Sequence, residues 1–176
     1  MNKKKIFIAV DTNKVSQAKR IIRDTQTNKI KVGYKFGLEF FYSEVGRKFI
    51  SSLKKQTIFL DLKLNDIPNT VASAVKSLKN LNISYLTVHL SSGLSALKVL
   101  KKESKNIKIV GVTTLTSLNN RDLKEIGYNK KVNELVKHQA KLAKRAKLDA
   151  IVCSGHEIRS VKRVFKKEII TPGIKM

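Results

Sequence analysis

Short apolar or β-branched runs alternate with amphipathic stretches along this whole chain, and that alternation constrains the fold more than any single motif. The runs are Ile6 to Val10, Lys29 to Gly33, Thr57 to Lys63, Tyr85 to Leu90, Ile107 to Leu115, Ala150 to Ser154 and Ile169 to Pro172. Each has the length of a strand. Between them, apolar residues recur at helical spacing. Val71, Ala74, Val75, Leu78 and Leu81 share one face, and Val132, Leu135, Val136, Ala140 and Ala143 share another. Val45, Phe49, Ile50 and Leu53 make a third stripe, and Ile158, Val161 and Phe165 a weaker fourth. Strands separated by helices, with two prolines in all and no long polar linker, predict one continuous α/β domain over residues 1–176.

Two architectures accommodate that order, a doubly wound open sheet and a (β/α)8 TIM barrel. A dinucleotide-binding version of the first needs a G-x-G-x-x-G turn after the opening strand, whereas this strand runs into Val10-Asp11-Thr12-Asn13. The barrel gains further because its chemistry sits where strands end, and polar residues gather there: Asp11, Lys31, Asp61, Lys63, His89, Thr116 and Ser154. A complete barrel takes eight strands and about 250 residues. This chain shows about seven strands in 176 residues and stops after Thr171-Pro172-Gly173-Ile174-Lys175-Met176. The expectation is a barrel domain incomplete at its C-terminus, or an open one.

Composition narrows the functional classes. Apolar residues at 41% and charged residues at 28% belong to a globular chain rather than a disordered one. Cys153 is the single cysteine, so no intramolecular disulfide forms, and no Cys/His cluster has zinc-ligand spacing. A cytoplasmic location is expected. Met1 to Lys5 is basic like the start of a signal peptide, but the apolar stretch behind it is interrupted at Asp11, and no segment approaches the length of a membrane span. The balance of 37 basic and 13 acidic side chains, +24 overall, raises nucleic-acid binding as a class. Its distribution argues otherwise: 30 of those cations are Lys and 7 are Arg, there is no Trp, and no basic stripe is interleaved with aromatics. The lysines read as solvated helix faces whose field draws in a small anionic substrate.

The densest polar constellation runs from Phe59 to Thr70. Side chains alternate along a strand, so Asp61 and Lys63 point to the same side, within a few ångströms of each other. Asp66 falls three residues later, in a loop. Opposed charges held this way lock an ammonium in place, keep it protonated and let it serve as a general acid. A purely structural account makes Asp66 the N-cap of a helix starting near Ile67 and Pro68, and Asp61 and Lys63 a strand-end ion pair. That account leaves unexplained why two ionic side chains point to the interior side of a core strand, where desolvation is costly.

Asp61-x-Lys63-x-x-Asp66-Ile67-Pro68-Asn69-Thr70 resembles the signature of the orotidine 5'-phosphate decarboxylases. The resemblance extends in order through Ile8-Ala9-Val10-Asp11, Lys31-Val32-Gly33, Val88-His89, Val112-Thr113-Thr114-Leu115-Thr116-Ser117, Val152-Cys153-Ser154 and Thr171-Pro172-Gly173-Ile174. It implies a metal-free and cofactor-free decarboxylation of orotidine 5'-monophosphate to uridine 5'-monophosphate (UMP). Lys63 matches the lysine that protonates the C6 carbanion and stabilises its developing charge. Asp61 matches the carboxylate beside the departing carboxylate, Asp11 a ribose ligand, and Lys31 the ribose-binding lysine that closes a Lys-Asp-Lys-Asp array. Asp66, Ile67 and Thr70 match residues that reach into a neighbouring subunit's site, which implies a homodimer. Thr116 and Ser117 fall where the pyrimidine amide is contacted, and Pro172 where a ring packs on the base. His89 and Cys153 read as structural.

Two features depart from the pattern. The family grips phosphate with a glutamine-bearing loop after the seventh strand and a Gly-Arg pair ending the eighth, and this chain ends before both. Lys175 stands where an arginine usually follows Pro-Gly-Ile, keeping the charge without the bidentate geometry. The expectation is little or no turnover by this chain alone, and poor stability from two open sheet edges. The rival readings are another sugar-phosphate decarboxylase or aldolase of the same superfamily, and a non-enzymatic basic protein that binds nucleic acid.

Overall fold

A computed structural model describes residues 5–173 of the chain. The strands are β1 (Lys5–Ala9), β2 (Lys31–Phe36), β3 (Thr57–Leu64), β4 (Tyr85–His89), β5 (Lys108–Val112), β6 (Ala150–Val152) and β7 (Glu168–Ile170). The helices are α1 (Val15–Asp24), α2 (Leu38–Tyr42), α3 (Gly46–Ser52), α4 (Pro68–Ser77), α5 (Gly93–Glu103), α6 (Asn120–Glu125), α7 (Val132–Arg145) and α8 (Ile158–Val164). The strands form one sheet in the order β1-β2-β3-β4-β5-β6-β7. Pairs β1·β2, β2·β3, β5·β6 and β6·β7 are parallel. A doubly wound sheet reverses its order at a switch point. Here every strand lies beside its chain neighbour, which is the βα succession of a TIM barrel with seven strands described.

Two compact units divide the chain: Met1–Leu62 with Ser77–Leu86, and Lys63–Lys76 with Thr87–Met176. The division falls inside β3 and inside β4. In the first unit, strand alternation separates two cores. One face carries Phe7, Phe59 and Tyr85, whose rings lie 5.0 Å (Phe7–Phe59), 5.0 Å (Phe7–Tyr85) and 5.7 Å (Phe59–Tyr85) apart. Gly33 pairs with Phe7 in register, and a Cβ there would stand 2.7 Å from the Phe7 ring, so only glycine leaves that ring its place. The opposite face carries Phe36, which packs on Phe40 of α2 and Phe49 of α3 at ring separations of 5.0 and 6.4 Å. In the second unit Val88, Ile109, Val110, Ile151, Leu97, Val136, Ala140 and Val161 are fully buried. The apolar stripes expected on α4 and α7 face this way: Val71, Val75, Leu135, Val136, Ala140 and Ala143 are all buried.

Element ends differ from expectation where polar residues stop the ladder. β5 ends at Val112, three residues short, because Thr114 turns its amide to a side chain rather than to a neighbouring strand. β2 runs through Phe36 instead of stopping at Gly33, with consequences for the site. Lys105 and Lys147 adopt left-handed backbone, φ 42° and 58°, just past the ends of α5 and α7. At Lys147 this lets Leu148 N–H reach back to the Ala143 carbonyl at 3.0 Å and closes the helix. No helix among the described residues is long and apolar enough to cross a membrane.

Candidate active site

Three strands of the first unit bring charge together at their C-terminal ends. Lys35, the fifth residue of β2, is three-quarters enclosed and faces two carboxylates, Asp11 Oδ1 at 3.5 Å and Asp61 Oδ2 at 3.8 Å. Asp11 lies in the turn after β1 and is largely exposed, whereas the Asp61 side chain is 16% exposed. The turn is pinned by Val10 N–H, which donates to the Lys35 carbonyl at 2.8 Å. One cation held between two carboxylates is fixed in where its ammonium points.

Lys31 is not part of this group. It is the first residue of β2, exposed, and paired in register with Lys5 of β1. Four residues at about 3.3 Å each place it roughly 13 Å from Lys35 along the strand, at the opposite end. Both lysines lie on one face of the strand, because four is even, so alternation alone could not separate them. The expected strand Lys29 to Gly33 put Lys31 near an end that the ladder does not have. The signal was the continuation Tyr34-Lys35-Phe36, which still alternates between polar and aromatic and extends the strand by three residues.

The second unit presents the rest of the β3 motif. Lys63 is half-buried, and its backbone is left-handed at φ 48° within β3. Its amide donates to Thr87 Oγ1 at 2.7 Å. Asp66 and Ile67 lie exposed on the loop that follows, with Asp66 Oδ1 accepting the Ile67 amide at 2.7 Å. Helix α4 begins at Pro68, so Asp66 precedes the cap position rather than occupying it, and Pro68 takes the first helical position where its missing N–H costs nothing. Thr70 is exposed in the first turn of α4. Ser92 Oγ donates to Asn65 Oδ1 at 2.9 Å and steadies the loop between Lys63 and Asp66.

Thr116 and Ser117 occupy an exposed turn after β5. What holds that exit is a residue the periodicity conceals: Gln139, on the buried stripe of α7, accepts the Thr114 amide at 2.8 Å and lies 3.2 Å from the Thr114 hydroxyl. A polar residue between Val136 and Ala140 on an apolar face was the available clue. His89, Thr113, Tyr128 and Gln139 line a small pocket of about 130 Å³ beside this exit. Pro172 is exposed two residues past β7, and Lys175 lies outside the described residues.

At the end of β6, Ser154 and Glu157 form a reciprocal turn: Ser154 N–H donates to Glu157 Oε2 at 3.0 Å, and His156 N–H donates to Ser154 Oγ at 3.3 Å. Glu157 is buried, and burial raises its pKa against the opposing pull of the Ser154 amide and His156. Cys153 is buried beneath it, and burial, with the Glu157 charge second, pushes its thiol up to about 11. A thiol held neutral this way is a packing group, as expected from the sequence. Among the described residues no three His, Cys, Asp or Glu side chains converge as metal ligands would.

Comparison with known proteins adds the family. Residues 4–176 match the family described as "Orotidine 5'-phosphate decarboxylase / HUMPS family". The chain is 42% identical over 178 residues to the orotidine 5'-phosphate decarboxylase of Wolbachia pipientis subsp. Culex pipiens, covering 97% of this chain and 77% of that protein. It is 38% identical to the enzyme of the same name from Erythrobacter litoralis, covering 97% and 76%. Among solved structures, the orotidine 5'-phosphate decarboxylase of Lactobacillus acidophilus superimposes with a TM-score of 0.87 at 31% identity, over 97% of this chain and 81% of that one.

Proposed function

We propose, from the premise that this chain belongs to the orotidine 5'-phosphate decarboxylase / HUMPS family, that it decarboxylates orotidine 5'-monophosphate to UMP and carbon dioxide in pyrimidine biosynthesis. The observation that carries the assignment of roles is the Asp11–Lys35–Asp61 group at adjoining strand ends, with Lys63 two residues further along β3.

Loss of carbon dioxide leaves the bonding electron pair on C6 of the pyrimidine. The Lys63 ammonium gives one proton to that carbon, and the resulting amine recovers a proton from solvent, so the net reaction consumes one proton. Before transfer, the same ammonium stabilises the developing negative charge. Asp61 is the carboxylate beside the leaving group and an ion-pair partner of Lys35. Lys35, not Lys31, is the second lysine of the array and takes the ribose-facing role, with Asp11 beside it. Asp66, Ile67 and Thr70 are assigned to the site of a second copy of the chain, in a homodimer. In support, Asp66, Ile67 and Thr70 are all exposed around the start of α4, Ile67 at 66%. Thr116 and Ser117 are assigned to the pyrimidine amide, and Pro172 and Lys175 to the base and phosphate ends.

Purified chain incubated with orotidine 5'-monophosphate, with UMP followed by chromatography, tests the proposal. Turnover that Lys63→Ala reduces by about 10³-fold or more supports the assignment and overturns the expectation of little or no turnover by this chain alone. Turnover indifferent to Lys63→Ala removes its role as proton donor. A magnesium-dependent reaction on a sugar phosphate, with none on orotidylate, would place the chain in the other branch of its family.

A further inference from the structure

We propose that Thr87 is a positioning residue for the Lys63 ammonium, acting through the Lys63 backbone; the inference deepens, and rests on, the reading of Lys63 as proton donor. Among the described residues three that are not glycine have left-handed backbone, Lys63, Lys105 and Lys147. Lys105 and Lys147 follow helix ends, where such a residue closes the last turn. Lys63 has no helix to close, because it is the penultimate residue of β3, where extended backbone is the rule. Left-handed backbone is unfavourable for an L-residue. It persists only where the surroundings over-determine it.

A contact that holds it is the 2.7 Å hydrogen bond from the Lys63 amide to Thr87 Oγ1. A strand amide ordinarily goes to a carbonyl of the next strand; here it goes to a side chain of β4. Thr87 is 0% exposed and its β-branched side chain is restricted at χ1, which limits how far the hydroxyl can move. Reversing the sign of φ at Lys63 rotates its Cα–Cβ bond out of plain strand alternation. The contact that holds this backbone thus bears on the direction in which the Lys63 side chain leaves the strand. A second tether from the turn just after β4, Ser92 Oγ to Asn65 Oδ1 at 2.9 Å, keeps the following residues from relaxing the turn.

The experiment compares Thr87→Val, which keeps the shape and removes the acceptor, with Thr87→Ser, which keeps the acceptor, in the full chain. Thr87→Val is expected to lower kcat by about 10- to 100-fold with KM within about twofold, and to speed hydrogen exchange of the Lys63 amide. Thr87→Ser is expected to retain kcat within a few-fold and to keep that amide protected. An unchanged kcat in Thr87→Val, while Lys63→Ala abolishes turnover, overturns the inference and leaves the proposed function standing. Equal losses in both variants also overturn it, since the hydroxyl would then matter no more than the shape of the side chain. Turnover that survives Lys63→Ala overturns the proton-donor reading instead, and the amide exchange, which needs no turnover, still reads the clamp. If Thr87→Val does not fold, Thr87→Cys, small and with only a weak sulfur acceptor, replaces it under the same criteria.

Discussion

The two ends of β2 carry the same side chain in two different settings. At the N-terminal end Lys31 is exposed and aligned with Lys5, and Lys5 itself donates to the Tyr85 hydroxyl at 2.6 Å and lies over that ring at 4.8 Å. At the C-terminal end Lys35 is enclosed and meets two carboxylates from neighbouring strand ends. Between the ends lies an apolar layer of Phe7, Phe59 and Tyr85, with Gly33 beneath it. A charge at the first end is solvated or satisfied once by an aromatic partner, and serves stability. At the second end opposite charges converge on a single ammonium, and such convergence pre-orients a group for chemistry.

Substituting each lysine is the strongest way to break this contrast. Lys35→Ala should lower kcat/KM for orotidylate by about 10²-fold or more, because it leaves Asp11 and Asp61 facing each other without their cation. Lys31→Ala should stay within about twofold, as an exposed surface change does. Equal effects at the two positions, read from initial rates, would erase the distinction. The layer between the ends should respond in stability rather than in chemistry. Gly33→Val places a side chain where a Cβ alone would come 2.7 Å from the Phe7 ring and 3.1 Å from the Thr57 carbonyl oxygen. Overpacking of this kind costs about 1–3 kcal/mol, visible as a lowered denaturant midpoint. An unchanged midpoint would mean that the ring moves aside freely.

The smallest expected effect concerns a strand end that carries charge outside the lysine group. Glu157 has its pKa raised by burial, so its contribution to stability is complete below the unfolded carboxyl value near 4.5 and is lost as pH rises through the folded one. Glu157→Gln keeps an acceptor for the Ser154 amide and has no charge to bury. Thermal unfolding of the parent should therefore fall relative to the variant as pH is raised from about 4 to 7, by about 1 kcal/mol or less. A difference that is flat across that range, or of opposite sign, would show that the Ser154 amide outweighs burial.

Much of this was legible in the residues. Seven strand runs and the stripes on α4 and α7 can be read from periodicity, because burial on one face imposes a period of 2 on strands and 3.6 on helices. Positions that depend on where an element stops were not legible. Lys31 and Lys35 have the same parity on the same strand, and only the ladder, running on to Phe36, decides which of them stands at the C-terminal end beside Asp11 and Asp61. The same holds for Thr87 and Gln139: each is a polar residue inside an apolar pattern, and its partner, the Lys63 amide or the Thr114 amide, is 24 or 25 residues away in the chain.

The sequence by itself determined the order of elements, the faces they bury and the family of the chain, since these follow from local periodicity and from motifs read in order. The tertiary structure alone decided which lysine meets Asp11 and Asp61, and that the Lys63 backbone is left-handed against Thr87. Ion pairs and hydrogen bonds between strands depend on register and on strand ends, and neither is encoded in the spacing of residues along one strand.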